Sequence, residues 1–400
     1  MSYPTDYRGW LAKLVAFKPV SRDSNLPLIH YVRDYLQTVG IEAVLVHNPE
    51  RTKANLWATL PGEDGATKGG LVLSGHTDVV PVDGQKWSTD PFTTVEKDGK
   101  IYGRGTCDML GFIAIVLSLT PHFLKTKRAK PIHYAFSFDE ELGCKGVPFL
   151  LDYLEKHQFT ADACVVGEPT DMKVTTGNKG AFAWTVDVHG KPIHTSLALM
   201  NTSCNAIEHA AKIIVKVRET ALDIRENDVQ QEDYSCPFST MSTVTISGGI
   251  ATNIVPELCS FRFAMRVTNR EVAKGVQEKI QQYIDTDVLP GMKKEYPNAK
   301  IDFLCVSESI PFEAKESAPV TQHVRRLVKD TEVHKMGALT EAGYFQKRLS
   351  IPTVILGPGS LEHCAHKPDE FVETSEMDMC YKVLIDLAEL ISGNGSTHRL

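Results

Sequence analysis

Residues able to bind a metal recur where apolar runs end. The run LVLSG leads into His76 and, two residues on, Asp78. HYAFSF leads into Asp139, Glu140 and Glu141, and ACVVG leads into Glu168. IPTVILGPG is followed by His363 and His366, while Asp108 sits in the glycine-punctuated stretch IYGRGTCDM ahead of a long apolar segment. Imidazole nitrogen and carboxylate oxygen suit Zn²⁺, Co²⁺ or Mn²⁺. A metal pair needs about two ligands per ion plus a bridging carboxylate. His76, Asp108, Glu141, Glu168 and one of the two late histidines would supply that set. Neighbouring strand residues face opposite ways, so one of Glu140 and Glu141 can ligate while the other serves as a base. Asp78 shares a side with His76 and is expected to hold the ring's other N–H through its side chain.

Each signal alone is ordinary. A His-x-Asp pair often just ends a strand, paired glutamates usually face solvent in a turn, and an aspartate before a helix is a common cap. The combination is more specific, because one bland explanation would have to cover several strand ends together.

The elements that must position these residues alternate. GGLVLSG, PIHYAFSF, ADACVVG and IPTVILGPG read as strands. GFIAIVLSLTPHFL, VPFLLDYLEKH, PVTQHVRRLVKD and DMCYKVLIDLAELI read as helices. An earlier helix carries Leu28, Ile29, Val32, Tyr35, Leu36 and Val39, with Ser24 or Asn25 as cap and Gly40 as stop. This rhythm predicts an α/β domain whose mostly parallel sheet is covered by helices. Ligands of such sheets gather at the carboxyl ends of the strands. From residue 178 the pattern becomes strand, helix, two strands, helix, the order of a small α+β ferredoxin-like unit. The expected plan is a catalytic domain over 1–177 and 292–400, interrupted by a second domain over 178–291.

The chain has 400 residues, too many for one ordinary core, and 42% are hydrophobic and 23% charged, as in globular proteins. A net charge of −7 argues against a nucleic-acid partner. The nine cysteines include no C-x-x-C pair, which suits free thiols in a reducing compartment. The N-terminal residues lack a secretory signal, and runs such as FIAIVLSL are far shorter than the roughly 20 residues that span a bilayer. A cytoplasmic protein without a membrane partner is expected.

The ordered stretches GHTDVVP, GRGTCDM, DEELG, GEPT and GPGSLEHCAHKPDE closely resemble the M20 family of metallopeptidases and amidohydrolases. Within that family, YGRGTCDM, GEPTDMK, KGAFAW and LTEAGYFQ are most similar to the acetylornithine deacetylase branch. The resemblance implies two divalent ions per subunit, Zn²⁺ first and Co²⁺ or Mn²⁺ as alternatives. It makes His76 and Glu168 ligands of one ion, Glu141 and His366 ligands of the other, and Asp108 the bridge. It makes Glu140 the general base and Asp78 the residue that orients His76. It implies that the inserted domain is a lid and homodimer contact, whose His194 stabilises an oxyanion in the partner's site. Asn253, Arg266 and Thr340 match substrate-binding positions.

The implied reaction is hydrolysis of an N-acyl amino acid, N2-acetyl-L-ornithine giving L-ornithine and acetate, a step of arginine biosynthesis. A desuccinylase acting on succinyl-diaminopimelate, another deacylase, a dipeptidase or a non-catalytic metal-binding scaffold are the alternatives. Glu341 is the expected partner of an ornithine ammonium, and Lys347 and Arg348 are the nearest cations for a succinyl group. The chain departs from the branch at Leu110, where lysine is usual, at Gly343, where proline is commoner, and in the extra His363 and Cys364.

Overall fold

A computed structural model describes residues 2–200 and 202–393. The chain forms two compact units. One comprises the chain up to Gly177 together with Phe312–Lys335 and the chain from Thr340 onward; the other comprises Asn178–Pro311 and Met336–Leu339.

The first unit begins with helices α1 (Tyr7–Val15) and α2 (Leu26–Thr38), then strands β1 (Ala43–His47), β2 (Ala54–Leu60) and β3 (Leu71–His76). Two short strands, β4 (Val95–Lys97) and β5 (Lys100–Tyr102), precede helix α3 (Leu110–Lys125). Strand β6 (Ile132–Ser137), helix α4 (Val147–Lys156), β7 (Ala163–Val166) and β8 (Thr175–Asn178) follow. The second unit contributes β9 (Gly180–His189), α5 (Ala206–Asn227), β10 (Thr240–Gly248), β11 (Leu258–Val267), α6 (Arg270–Tyr283), α7 (Leu289–Glu295) and β12 (Lys300–Glu308). The chain ends with β13 (Phe312–Glu313), α8 (Pro319–Val328), β14 (His334–Met336), α9 (Ala342–Leu349), β15 (Thr353–Ile355), β16 (Phe371–Glu373) and α10 (Thr374–Ser392).

The large sheet runs β1-β2-β6-β3-β7-β15-β8-β13, with β14 beside β8. Its centre is parallel: β3 pairs β6 and β7, and β15 pairs β7. Its flanks are antiparallel, as between β1 and β2 and between β2 and β6. All residues of β3, β6 and β7 are buried, which is why these runs read as continuous rather than alternating apolar stretches. Helix α3 is buried from Leu110 to Thr120 and packs on β3, α1 and α10. The predicted α/β class and its mostly parallel, helix-covered sheet are what the structure shows.

Two local readings differ. Helix α1, absent from the sequence reading, buries Trp10, Leu11 and Leu14 and is capped by Asp6, whose side chain accepts the Gly9 N–H. Of the two expected caps of α2, Ser24 accepts the Leu26 N–H with its hydroxyl at 3.3 Å, whereas Asn25, at the N-cap position, does not cap it and exchanges two hydrogen bonds with the Ala54 backbone, at 2.9 and 3.0 Å.

In the second unit four antiparallel strands run β10-β11-β9-β12. Phe182, Trp184, Val186 and Val188 of β9 and Phe261, Phe263 and Met265 of β11 pack on α5 and α6. This unit extends to Pro311 and not to residue 291. The reason is β12, which pairs with β9 from Lys300↔His189 to Glu308↔Phe182 and completes the ferredoxin-like order with a fourth strand. Its side chains are largely exposed, so the sequence KIDFLCVSE carries little of the alternation that announces a strand.

Candidate metal centre

Parallel pairing aligns the carboxyl ends of β3, β6 and β7, and the chemistry-bearing residues follow from those ends. His76 closes β3 with its side chain buried. Its Nε2 lies 3.0 Å from Asp108 Oδ1, 3.9 Å from Glu168 Oε1 and 4.0 Å from Glu140 Oε2. The other oxygen of Asp108, Oδ2, lies 3.1 Å from His366 Nε2. His366 Nε2 is also 3.1 Å from the Glu141 carboxylate. Donor atoms therefore form two groups, His76–Asp108–Glu168 and Asp108–Glu141–His366, each within 4.8 Å and sharing Asp108. Glu140 belongs to neither group, although it is 6% exposed and beside the first.

The electrostatics are those of a site built for cations. Burial favours a neutral His76 ring, but Asp108, Glu168 and Glu140 outweigh it and hold its pKa well above the ordinary value. Hydrogen bonds to Asp108 and Glu141 push His366 up to about 10. Burial raises Asp108, yet His366 and His76 hold it below the usual carboxylate range. Burial, with Glu168 adding, raises Glu140 well above its ordinary value, and burial does the same to Glu168. Glu168 Oε1 is moreover buried without a hydrogen-bond partner. A divalent ion in each group would satisfy that oxygen and offset the clustered negative charge, so the residues present fit a metal pair.

The structure corrects the expected role of the Asp78 side chain. His76 Nδ1 meets the backbone carbonyl of Asp78 at 2.8 Å, while the nearest carboxylate oxygen is 3.7 Å away. The carboxylate instead accepts the backbone N–H groups of Glu140, at 3.1 Å, and Glu141, at 3.4 Å, and the Ser21 hydroxyl at 2.8 Å. Asp78 thus fixes His76 through its main chain and the glutamate turn through its side chain.

The remaining candidates fall elsewhere. His363 is exposed and outside both donor groups, so geometry distinguishes it from His366 where spacing did not. Thr340 is buried at the start of α9 and its hydroxyl accepts the Ala342 N–H at 3.2 Å. Glu341 is 1% exposed, and burial pushes its carboxyl up to about 7, which does not suit a partner for a substrate ammonium. Arg348 is committed to Asp152 and Glu155, at 2.7 and 2.6 Å. In the second unit, His194 and Asn253 come from separate segments brought side by side: the Thr195 N–H donates to the Asn253 carbonyl at 3.0 Å. Both are exposed, and His194 Nδ1 lies 2.8 Å from the Ser196 hydroxyl. Arg266 sits on the outward register of β11 and forms no ion pair among the described residues.

Residues 72–390 match the model of peptidase family M20/M25/M40. The chain belongs to this family. Like its M20 relatives it is a metal-dependent hydrolase. It is 32% identical to the acetylornithine deacetylase of Pasteurella multocida, over 91% of each chain. It is 30% identical to that of Aliivibrio salmonicida, over 96% of this chain and 97% of the relative. Two solved structures share the fold. An M20 metallo-carboxypeptidase from Sulfolobus solfataricus aligns with a TM-score of 0.76 at 18% identity, over 96% of this chain and 98% of that one. A dinuclear metal-binding M20 peptidase from Bacillus subtilis aligns with a TM-score of 0.64 at 14% identity, over 96% and 98% of the two chains.

The sequence reading missed what positions Asp108 in this M20 chain. Glu370 Oε1 accepts the backbone N–H groups of Gly105, Cys107 and Asp108 at 3.0, 3.0 and 3.1 Å. Its Oε2 accepts from Arg104 Nη1 at 2.5 Å, and Arg104 Nη2 donates to Gln85 Oε1 at 2.6 Å. The signal was present: Arg104 is the first residue of the motif R-G-x-x-D and Glu370 the last of K-P-D-E. Lys53, at 2.5 Å from Asp139 Oδ1, similarly braces the turn that carries Glu140. Close packing matters too, since a Cβ on Gly167 would fall 2.0 Å from the Phe112 ring.

Proposed function

We propose that this M20 enzyme hydrolyses the amide bond of an N-acyl amino acid, with N2-acetyl-L-ornithine giving L-ornithine and acetate as the first choice. The observation that carries the proposal is the Asp108 carboxylate shared between two donor groups, with Glu140 buried beside them and bound to neither. The likeness to acetylornithine deacetylases, up to 32% identical over most of both chains, supports the substrate. His76, Asp108 and Glu168 would hold one divalent ion, and Asp108, Glu141 and His366 the other. Zn²⁺ is the first choice for both, with Co²⁺ or Mn²⁺ as alternatives. Bound there, such ions make water more acidic and polarise an acyl carbonyl.

The chain's own residues do the rest. Glu140 accepts a proton from the attacking water at its carboxylate and delivers it to the leaving amine nitrogen. Asp78 fixes the turn that aims Glu140. His194, supplied across a homodimer through the second unit, would donate a hydrogen bond to the developing oxyanion. Arg266 and Asn253 would hold the α-carboxylate, for which an unpaired guanidinium is well suited. Thr340 would contribute at the substrate loop. A cytoplasmic enzyme of arginine biosynthesis fits this reading; no helix among the described residues is long and apolar enough to cross a membrane. Arg348, one of the two cations considered for a succinyl carboxylate, is held by Asp152 and Glu155, which favours acetyl over succinyl.

The test is product release from a panel of N-acetyl and N-succinyl amino acids and dipeptides by the metal-loaded enzyme, with a chelator control. Chelator-sensitive turnover that is highest on N2-acetyl-L-ornithine is expected. Turnover on none of the panel would sink the proposal, and preference for a succinyl compound would reassign the substrate.

A further inference from the structure

The second unit contains a constellation that the catalytic centre does not use. Cys204 lies just before α5, and its backbone exchanges both hydrogen bonds with Lys191, at 2.9 and 3.1 Å. Asn205 caps the helix by accepting the Ile207 and Glu208 N–H groups, which places His209 in the first turns of α5. Glu295 is the last residue of α7. One donor atom each from Cys204, His209 and Glu295 lie within 4.8 Å of one another. His209 Nε2 is 3.1 Å from Glu295 Oε2. Cys204 and His209 are 0% and 3% exposed, whereas Glu295 is partly exposed.

We propose that Cys204, His209 and Glu295 form a separate structural site for a divalent ion of the Zn²⁺ class, tying the start of α5 to the end of α7. A thiolate–imidazole–carboxylate set suits such an ion, while Mg²⁺ and Ca²⁺ prefer oxygen donors alone. Zinc–ligand lengths of about 2.0–2.3 Å put tetrahedral donors roughly 3.3–3.6 Å apart. Separations of up to 4.8 Å therefore need to contract by up to about 1.2–1.5 Å, within reach of side-chain rotation at Cys204, His209 and Glu295. Water would complete the four ligands that such an ion usually takes. Charge balances: the Cys204 thiol releases its proton to solvent, and thiolate plus carboxylate neutralise the 2+ ion. The Lys212 ammonium, 3.4 Å from His209 Nδ1, is on an exposed side chain and turns away as that nitrogen keeps its proton.

Another use of the cluster fits less well. A nucleophilic thiol needs access, and Cys204 has none. Without an ion, the Cys204 thiol and His209 both bond the Glu295 carboxylate, and a bound ion would replace those contacts with three ligand bonds.

The experiment loads the full-length protein with Co²⁺ and measures metal content and near-ultraviolet absorption. Thiolate bound to cobalt gives an intense charge-transfer band, and the catalytic donor set contains no thiolate. The wild type is expected to show the band, and Cys204→Ser to lose both the band and one equivalent of cobalt. Glu295→Gln, at a partly exposed position, is expected to keep the band but to need at least about tenfold more cobalt to saturate it. A wild type without the band overturns the proposal, as does a folded Cys204→Ser that keeps the band and all its cobalt. If circular dichroism shows Cys204→Ser unfolded, the Glu295→Gln titration decides, and a curve identical to the wild type overturns the proposal.

Discussion

Replacing Glu140 with glutamine is the change that separates the proposed base from the proposed ligands. The amide is nearly isosteric with the carboxyl, so it retains the contact with the Cys144 thiol, 3.6 Å from Glu140 Oε1. The Glu140 N–H to Asp78 bond belongs to the backbone and survives. Neither donor group includes Glu140, so Glu140→Gln should keep its full metal content. What it loses is a proton acceptor beside the centre. General-base loss costs about 10²–10⁴ in kcat, or roughly 2.7–5.5 kcal/mol at 1.36 kcal/mol per decade. Glu141→Gln is the contrasting variant. Glu141 has both carboxylate oxygens 3.1 Å from His366 Nε2 and lies in the second donor group. Losing its charge should weaken one ion by at least about 10–100-fold. The assay pairs metal analysis of dialysed protein with steady-state release of acetate from N2-acetyl-L-ornithine. Glu140→Gln that sheds an ion as readily as Glu141→Gln would show the two roles to be reversed. Glu140→Gln that keeps the wild-type rate would remove Glu140 from proton transfer altogether.

Three further outcomes are expected. Glu370→Ala should cost about 3–5 kcal/mol in urea denaturation, because it strands the buried Arg104 charge and three backbone N–H groups; a loss below about 1 kcal/mol would contradict that reading. Burial pushes His133 down to about 4, its ring nitrogens facing Thr59 Oγ1 and the Gly69 carbonyl, both at 2.9 Å. The unfolded chain then binds the proton first, so this stabilisation is intact above about 6.5 and about 3 kcal/mol is lost as pH falls from there to about 4; His133→Gln should flatten that slope relative to the wild type in urea melts across the range. Chelation should lower the Tm, and re-addition should raise stability logarithmically with metal, by about 2.7 kcal/mol for a site at one hundred times its Kd; a Tm indifferent to chelator would mean that the ions do not bind the folded state preferentially.

How much of this was legible follows from what a sequence displays. The strand-end residues were legible because parallel strands must deliver their carboxyl ends to one edge. The job of the Asp78 side chain was not, because the atom that meets His76 is a carbonyl, and every residue carries one. The choice between His363 and His366 was invisible to spacing, and only the family resemblance picked His366. His366 has a φ of +64°, and that backbone turn, not the spacing, sets where its ring goes. Strand β12 escaped because its side chains alternate too weakly, and α1 because YRGWLAKLV is short and contains Gly9. The α/β class and the ferredoxin-like order survived these misses because they rest on many elements at once, whereas a boundary rests on one.

The most consequential omission was Glu370, and it changes what the two motifs mean. The stretch R-G-x-x-D supplies the shared carboxylate, and K-P-D-E, about 260 residues later, holds it in place. Asp108 must present Oδ1 to His76 and Oδ2 to His366, at 3.0 and 3.1 Å, and a turn of the loop would lose one of the two. Glu370 prevents that turn by taking the N–H groups of Gly105, Cys107 and Asp108 with one oxygen. Bonds to a buried charge contribute about 1.5–3 kcal/mol each, enough to hold the loop rigid before any ion arrives. His366 lies four residues before Glu370, so the same segment supplies a donor to the second group and the anchor of the bridge. Metal affinity and local stability in this region are therefore one quantity measured two ways. A change at Glu370, which is in neither donor group, should lower both together, whereas loss of Glu140 should lower neither.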